Sequence, residues 1–256
     1  MLICINSKRS KRVDKPRFFV DLECRNGDKI VIKDDENIHL RSVLRLKSGD
    51  RIEVCFGQGE ICSCVIESVD KKVSIAKIES TFVASKQKFD ITLFMAITKS
   101  ERMDWAVQKC TELGVTHIVP FESKFCTAKD RGNKVERLNR IAVSACKQSG
   151  RAYLPIISPT ISFEELLKHV QGKQTILAYE NDTTKAKSVI SALKEQDTAL
   201  IVGSEGGFSE DEVKQLVDAG AKCVSLGENI LRAETAAVAL TSVIMYQLNL
   251  WTKEKK

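Results

Sequence analysis

The sequence has only 4 prolines and 13 glycines among its 256 residues, and no stretch repeats at a fixed period. A collagen-like chain, a linker-dominated chain and a solenoid are thereby excluded. No Cys-x-x-Cys pair occurs among the nine cysteines, and the closest pair, Cys62 and Cys64, alternates along a strand-like run with no histidine nearby. A zinc site is therefore not expected, nor any other metal. The cysteine number is odd, the chain is not small, and Met1 to Asn6 is too short an apolar run for a secretory signal, with Lys8 following at once. Packed free thiols in a cytoplasmic, reducing setting are expected. Residues 235 to 252 carry no charge, yet Thr235, Thr241, Ser242, Gln247 and Asn249 interrupt them, and they fall short of the ~20 mostly apolar residues of a membrane span. A buried or interface helix fits that stretch better.

What is present is a chain with 43% hydrophobic and 29% charged residues, long enough for one large domain or for a small one followed by a medium one. The net charge of +6 is concentrated in KRSKRVDKPR, residues 8 to 17, where six basic side chains face the single Asp14. Such an arm is either a solvated tail or a contact for a polyanion.

Residues 18 to 80 alternate as half-buried strands do, in FFVDL, KIVI, RIEVCF, ICSCVIESV and KVSIAKI, with turns at Asn26-Gly27-Asp28, Ser48-Gly49-Asp50 and Gly57-Gln58-Gly59. Short strands at close spacing predict a small barrel. A helix is expected from Glu36 to Leu46, with Ile38, Val43, Leu44 and Leu46 apolar and with Arg41 and Arg45 on a shared face. From about residue 90 the pattern changes. Buried-strand runs at 91–97, 116–121, 175–179, 199–203 and 222–226 alternate with helical segments, which predicts a parallel sheet covered by helices. The first of those helices, from near Ser100, places Met103, Ala106, Val107, Cys110 and Gly114 on one stripe, and another runs from about Asn133 to Ser149 before Gly150.

Two segments carry chemistry. GSEGGFSEDEV, Gly203 to Val213, follows a buried strand and opens a helix, the usual ligand position in α/β proteins. Ser209 and Glu212 form a Ser-x-x-Glu capping box, and Glu210, Asp211 and Glu212 fill the first turn, so the helix start repels phosphate. Nucleoside triphosphates are disfavoured, and a neutral aromatic or cationic ligand such as S-adenosylmethionine (SAM) fits. The Rossmann fingerprint is absent, because Gly57-Gln58-Gly59 lies between two strands with no helix to follow. The second segment, LGENILRAETAAVAL from Leu226 to Leu240, places a glycine turn after a strand, then Arg232 and Glu234 at a helix start. A charged pair there reads as a catalytic pair or as a helix-start salt bridge.

These residues, with HLRSVLRLKSGD (His39 to Asp50), RMDWAVQKCTELGV (Arg102 to Val115) and RIAVSACKQSGR (Arg140 to Arg151), resemble the RsmE-type 16S rRNA uridine-N3 methyltransferases of the SPOUT superfamily over nearly the whole chain. The resemblance implies a PUA-like β-barrel that binds RNA in residues 1–82, and an α/β SPOUT methyltransferase domain with a trefoil knot in residues 83–256. It also implies a homodimer, SAM as cofactor, and 16S rRNA or the 30S subunit as partner. Tyr179, Val202 and the loop Gly203, Ser204, Glu205, Gly206 and Gly207 are its implied cofactor residues, with Leu226, Gly227, Asn229, Ile230, Leu231 and Ala236 from the second segment. Arg232, Glu234 and Glu205 are the catalytic candidates. Arg9, Arg12 and Arg17 in the arm, Arg41 and Arg45, and Arg102, Lys109, Lys147 and Arg151 are expected to meet RNA. The chain departs from the family pattern at Ser204, where Pro is usual, at Ala233, where Thr is usual, and at Ser144 and Lys147, where acids are usual. Two other readings remain open at this level: another RNA methylation, such as ribose 2′-O, and a non-catalytic rRNA-binding assembly factor.

Overall fold

The computed structural model describes residues 15–127, 134–179, 190–191 and 193–251. They form two compact units, one up to Ser85 and one from Lys86 onward.

In the first unit, β1 (Arg17–Phe19), β2 (Arg25–Asn26), β3 (Lys29–Lys33), β4 (Arg51–Cys55), β5 (Glu60–Val69) and β6 (Val73–Val83) build one sheet in the order β1-β4-β5-β6-β3-β2. The β1–β4 pair is parallel and the other pairs are antiparallel. Register shifts between Ser63 and Cys64 and between Ile66 and Ser68 interrupt the long β5–β6 ladder. Such bulges bend and twist a strand pair, and so favour a curled sheet that encloses its own core. Phe18, Ile30, Ile32, Ile52, Val54 and Ile66 fill that core.

The expected helix over 36–46 is different in detail. It begins earlier as α1 (Asp34–Ile38) and continues as a π-helical turn, His39–Val43. The wider turn rotates the face, so that Leu40 and Asn37 are buried, whereas Ile38, Val43 and Leu44 are exposed. Asn37 is satisfied there, because its Nδ2 donates to the Asp70 carbonyl at 3.1 Å and its Oδ1 accepts from the Ser74 hydroxyl at 2.6 Å.

In the second unit the strands are β7 (Ile91–Ala96), β8 (His117–Phe121), β9 (Ile156–Ile157), β10 (Gln174–Ala178), β11 (Thr198–Val202) and β12 (Lys222–Val224). They form an all-parallel sheet in the order β12-β10-β11-β7-β8-β9. Successive residues of β7 face opposite layers. Leu93 and Met95 enter a core shared with α2 (Ser100–Leu113), α3 (Lys134–Ser149) and α6 (Ala233–Gln247), whereas Phe94 and Ala96 enter one shared with α4 (Phe163–Val170) and α5 (Glu210–Asp218). Burial on both sides explains the uninterrupted apolar runs.

The α2 stripe is as the spacing predicts, with Met103, Ala106, Val107 and Cys110 buried. The helix stops at Gly114, whose φ of 120° favours glycine. Of the nine cysteines, the eight in described residues are free. Burial pushes the Cys64 and Cys110 thiols up to about 12. Among the described residues no helix is long and apolar enough to cross a membrane, and no cluster of three His, Cys, Asp or Glu side chains is arranged to hold a metal.

Candidate active site

Because the sheet is parallel, the loops after β11 and β12 leave from the same edge, which is where α/β sheets bind ligands. The loop after β11 is shaped by its glycines. A Cβ on Gly203 would lie 2.9 Å from the ring of Phe208, and that ring stacks on Phe121 at 6.2 Å. Gly207 has φ 68° and donates its N–H to the Ser204 carbonyl at 3.0 Å. The capping box then closes the start of α5. The Ser209 side chain accepts from the Glu212 N–H, and the Glu212 carboxylate accepts from the Ser209 N–H at 2.8 Å. The Ser209 and Glu212 N–H groups at that helix end are therefore already taken and are not offered to phosphate.

Between the two loops lies a cleft. Tyr179, Val202, Gly203, Ser204 and Gly207 line it from the first side, and Leu226, Gly227, Asn229, Leu231 and Ala236 from the second. Three of the expected cofactor residues do not line it. Glu205 turns towards α2, Ile230 is 86% exposed, and Gly206 backs onto Phe125, whose Cβ would be 2.7 Å from a Cβ at this position. Ala178, Phe208, Val224, Ser225 and Ala233 line the cleft and are not among the residues expected from the sequence. Phe208 has a signal in its place directly behind the glycine pair, and Ala233 in its departure from the family pattern. Ser204, the departure from the usual Pro, is buried with a hydroxyl that has no partner among the described residues. An apolar cleft walled by close-running backbone, with one orphaned buried hydroxyl, suits an adenosine-type ligand with hydroxyl groups to pair. The residues present therefore fit SAM.

Beside the cleft, three segments meet through charge. Arg102 in the first turn of α2 directs Nη1 to Glu205 at 3.3 Å and Nε to Glu234 at 4.0 Å. Glu205 also accepts the backbone N–H of Lys99, the N-cap of α2, at 3.2 Å. Glu234 is in the first turn of α6, its side chain only 13% exposed, and its Oε2 is buried with no partner among the described residues. Arg232, the N-cap of α6, is exposed. The two candidate carboxylates thus differ: one is engaged by α2, and the other keeps a free oxygen.

The basic residues expected to meet RNA divide sharply. Arg9 and Arg12 lie outside the described residues. Arg41 and Arg45 are exposed, and Arg45 has a φ of 54°. Lys109 is paired with Glu112 one turn along α2, at 2.9 Å, and Lys147 is half-buried in α3. Three others are committed to the protein itself. Arg102 serves the two glutamates, and Arg17 donates through Nε and Nη2 to Glu53 at 3.1 and 2.6 Å in the neighbouring strand. Arg151 donates Nη1 to the carbonyls of Thr111 and Val115 at 2.5 and 2.9 Å, closing the C-terminal end of α2. Burial lowers the Arg151 pKa from its ordinary value. Arg17 and Arg151 thus spend donors within the protein, Arg17 on the half-buried Glu53 carboxylate and Arg151 on the carbonyls of the buried Thr111 and Val115.

Comparison with known proteins agrees with this geometry. Residues 85–245 match the model of an RNA methyltransferase domain, and residues 32–79 that of an RNA methyltransferase PUA domain. The ribosomal RNA small subunit methyltransferase E of Rickettsia conorii is 32% identical, over 87% of this chain and 91% of its own. The Bacillus subtilis protein of the same name is 31% identical, over 91% and 97%. Among solved structures, the Neisseria gonorrhoeae ribosomal RNA small subunit methyltransferase E bound to SAM is 29% identical with a TM-score of 0.79 over 91% of this chain and 97% of its own. A Legionella pneumophila methyltransferase in complex with SAM is 28% identical with a TM-score of 0.82 over the same shares, 91% and 97%. The expected fold class, a PUA-like unit ahead of an α/β methyltransferase domain with a parallel sheet covered by helices, therefore stands. With a family model spanning residues 85–245 and relatives that match along almost their full length, the chain belongs to the RNA methyltransferase family that includes the ribosomal RNA small subunit methyltransferases E.

Proposed function

We propose that this protein is a SAM-dependent methyltransferase that methylates N3 of a uridine in 16S rRNA. The observation that carries the reading is the meeting of Arg102, Glu205 and Glu234 beside a cleft walled by two glycine turns, in a chain of this family. When bound, SAM supplies an electrophilic methyl group on a sulfonium. Tyr179, Gly203, Ser204, Gly207, Leu226 and Asn229 are the residues that would hold it.

Uridine N3 carries an imide proton and is a poor nucleophile while it does, so the chain must accept that proton and stabilise the charge left on two carbonyl oxygens. Glu234 is the better placed acceptor, since its Oε2 has no partner among the described residues, whereas Glu205 is engaged by the Lys99 N–H and Arg102. Arg232, exposed at the same helix start, is the candidate for stabilising the anion.

RNA is held by Arg9 and Arg12 in the arm, by Arg41 and Arg45 in the PUA-like unit, residues 1–82, and by Lys147. The protein acts in the cytoplasm as a homodimer. Val243 and Tyr246 on α6, Trp251 just beyond it and Trp105 on α2 are exposed, an apolar group for a second subunit to cover. Nucleoside mass spectrometry of rRNA from a deletion strain tests the reading. Loss of 3-methyluridine supports it, loss of a 2′-O-methyl nucleoside would replace it with ribose methylation, and purified protein that fails to bind SAM would leave only an assembly factor.

A further inference from the structure

We infer that the loop after β8 carries a nucleobase-stacking platform, with the ring of Phe125 receiving an unpaired RNA base near the target uridine and Lys124 facing its phosphate. The inference rests on the proposed RNA substrate. Phe125 is 41% exposed, although the same loop buries Ser123 and half-buries Cys126. The loop leaves the same edge of the sheet as the cofactor loops, because β8 is parallel to β7 and β7 to β11.

The backbone under the ring is fixed from two sides. Glu212, only 6% exposed, accepts the Lys124 N–H at 2.8 Å while its other oxygen serves the capping box. Gly206 brings the glycine loop against the flank of Phe125, so closely that a Cβ there would lie 2.7 Å from the Phe125 Cβ. One edge of the side chain is thus buttressed while much of the ring remains in solvent. Lys124 Nζ lies 5.9 Å from the ring centroid, is exposed, and has no carboxylate partner among the described residues. A fixed aromatic face beside a free cation matches the two parts of a single-stranded nucleotide, a base with a π-face and an anionic phosphate. A helix or protein partner would instead call for a wider apolar surface than one ring.

The test uses the full-length protein and a 16S rRNA fragment containing 5-iodouridine, cross-linked by light, together with Phe125→Leu, Phe125→Ala and Phe125→Tyr variants. Leucine keeps the packing against Gly206 but has no π-face, and tyrosine keeps the π-face. The expected results are a cross-link mapped to the peptide containing Phe125, and an RNA KM raised about 5- to 100-fold in Phe125→Leu and Phe125→Ala. Phe125→Tyr should restore it, with SAM affinity unchanged in all three. A Phe125→Leu enzyme with wild-type RNA KM, or cross-links that all map elsewhere, overturns the platform. Should wild-type protein bind the fragment without methylating N3, the proposed reaction fails. The stacking inference is then judged by the cross-link and by fragment affinity alone.

Discussion

The guanidinium of Arg102 lies 3.3 Å from the carboxylate of Glu205, with Glu234 at 4.0 Å on its Nε edge. One arginine therefore joins the start of α2, the glycine-rich loop and the start of α6. Without it two carboxylates would share a site uncompensated, and both would shift. Small displacements of reacting groups cost up to about 100-fold in rate, so Arg102→Gln should lower kcat by about 10- to 100-fold. Arg102→Lys should recover part of that, because it restores charge without the fork. Steady-state kinetics decide it, and equal kcat in both variants and the wild type would detach Arg102 from the site.

The two glutamates should separate in their own variants. A general base contributes about 100- to 10,000-fold, so Glu234→Gln should lose on that order in kcat and recover at alkaline pH, where N3 ionises in solution. Glu205→Gln keeps an acceptor for the Lys99 N–H and should lose less. The reverse ranking in the pH–rate profiles would exchange their roles.

Arg232→Ala should reduce turnover about 100- to 1,000-fold, as removal of a preorganised donor does, while calorimetry finds SAM affinity near that of the wild type. Activity and affinity falling together would make Arg232 a cofactor residue instead.

Gly203→Val should weaken SAM binding at least about tenfold in a protein that still folds, because the added side chain meets the Phe208 ring inside the cleft. Calorimetry with circular dichroism as the folding control checks this. Gly206→Val is not an equivalent test, since its clash is with Phe125.

Basic residues should sort by what they already hold. Replacing Arg9 and Arg12 by Gln should reduce the salt dependence of RNA binding by up to roughly 0.7 to 0.9 in slope for each phosphate that is no longer neutralised. Arg151→Ala should instead destabilise its unit by about 1 to 3 kcal/mol, because the carbonyl of the buried Val115 loses its donor, and Arg17→Ala should cost its unit less, because Glu53 is only half-buried. Thermal unfolding and salt titrations on the same variants distinguish the two classes.

Much of this arrangement was legible in the residues. The spacing of Met103, Ala106, Val107 and Cys110 located the inner face of α2, and the Ser209–Glu212 signature located a capped helix whose start refuses phosphate. Both are local patterns, fixed by helical geometry. The role of Arg102 was not legible, because its partners are in segments far along the chain and only the sheet order brings them together. Arg17 and Arg151 illustrate the same limit: a basic side chain beside other basic side chains reads as surface until its acceptor is seen. The exposed faces of Ile38, Val43 and Leu44 were hidden because a π-helical turn breaks the period on which the helix reading depended.

The order of the parallel sheet also governs when the site can exist during folding. β7 lies between β11 and β8, so Ile91 pairs with Thr198, and the cluster on Arg102 requires Glu205 and then Glu234. A nascent chain cannot complete the central ladder until β11 has been made, nor the site until the last long helix has begun. Closing such distant pairs precedes any reward from them, which slows folding relative to locally connected domains and leaves apolar strands waiting. In refolding experiments, SAM binding should therefore return later than helical circular dichroism. Simultaneous recovery of both would mean that the sheet assembles as one early unit.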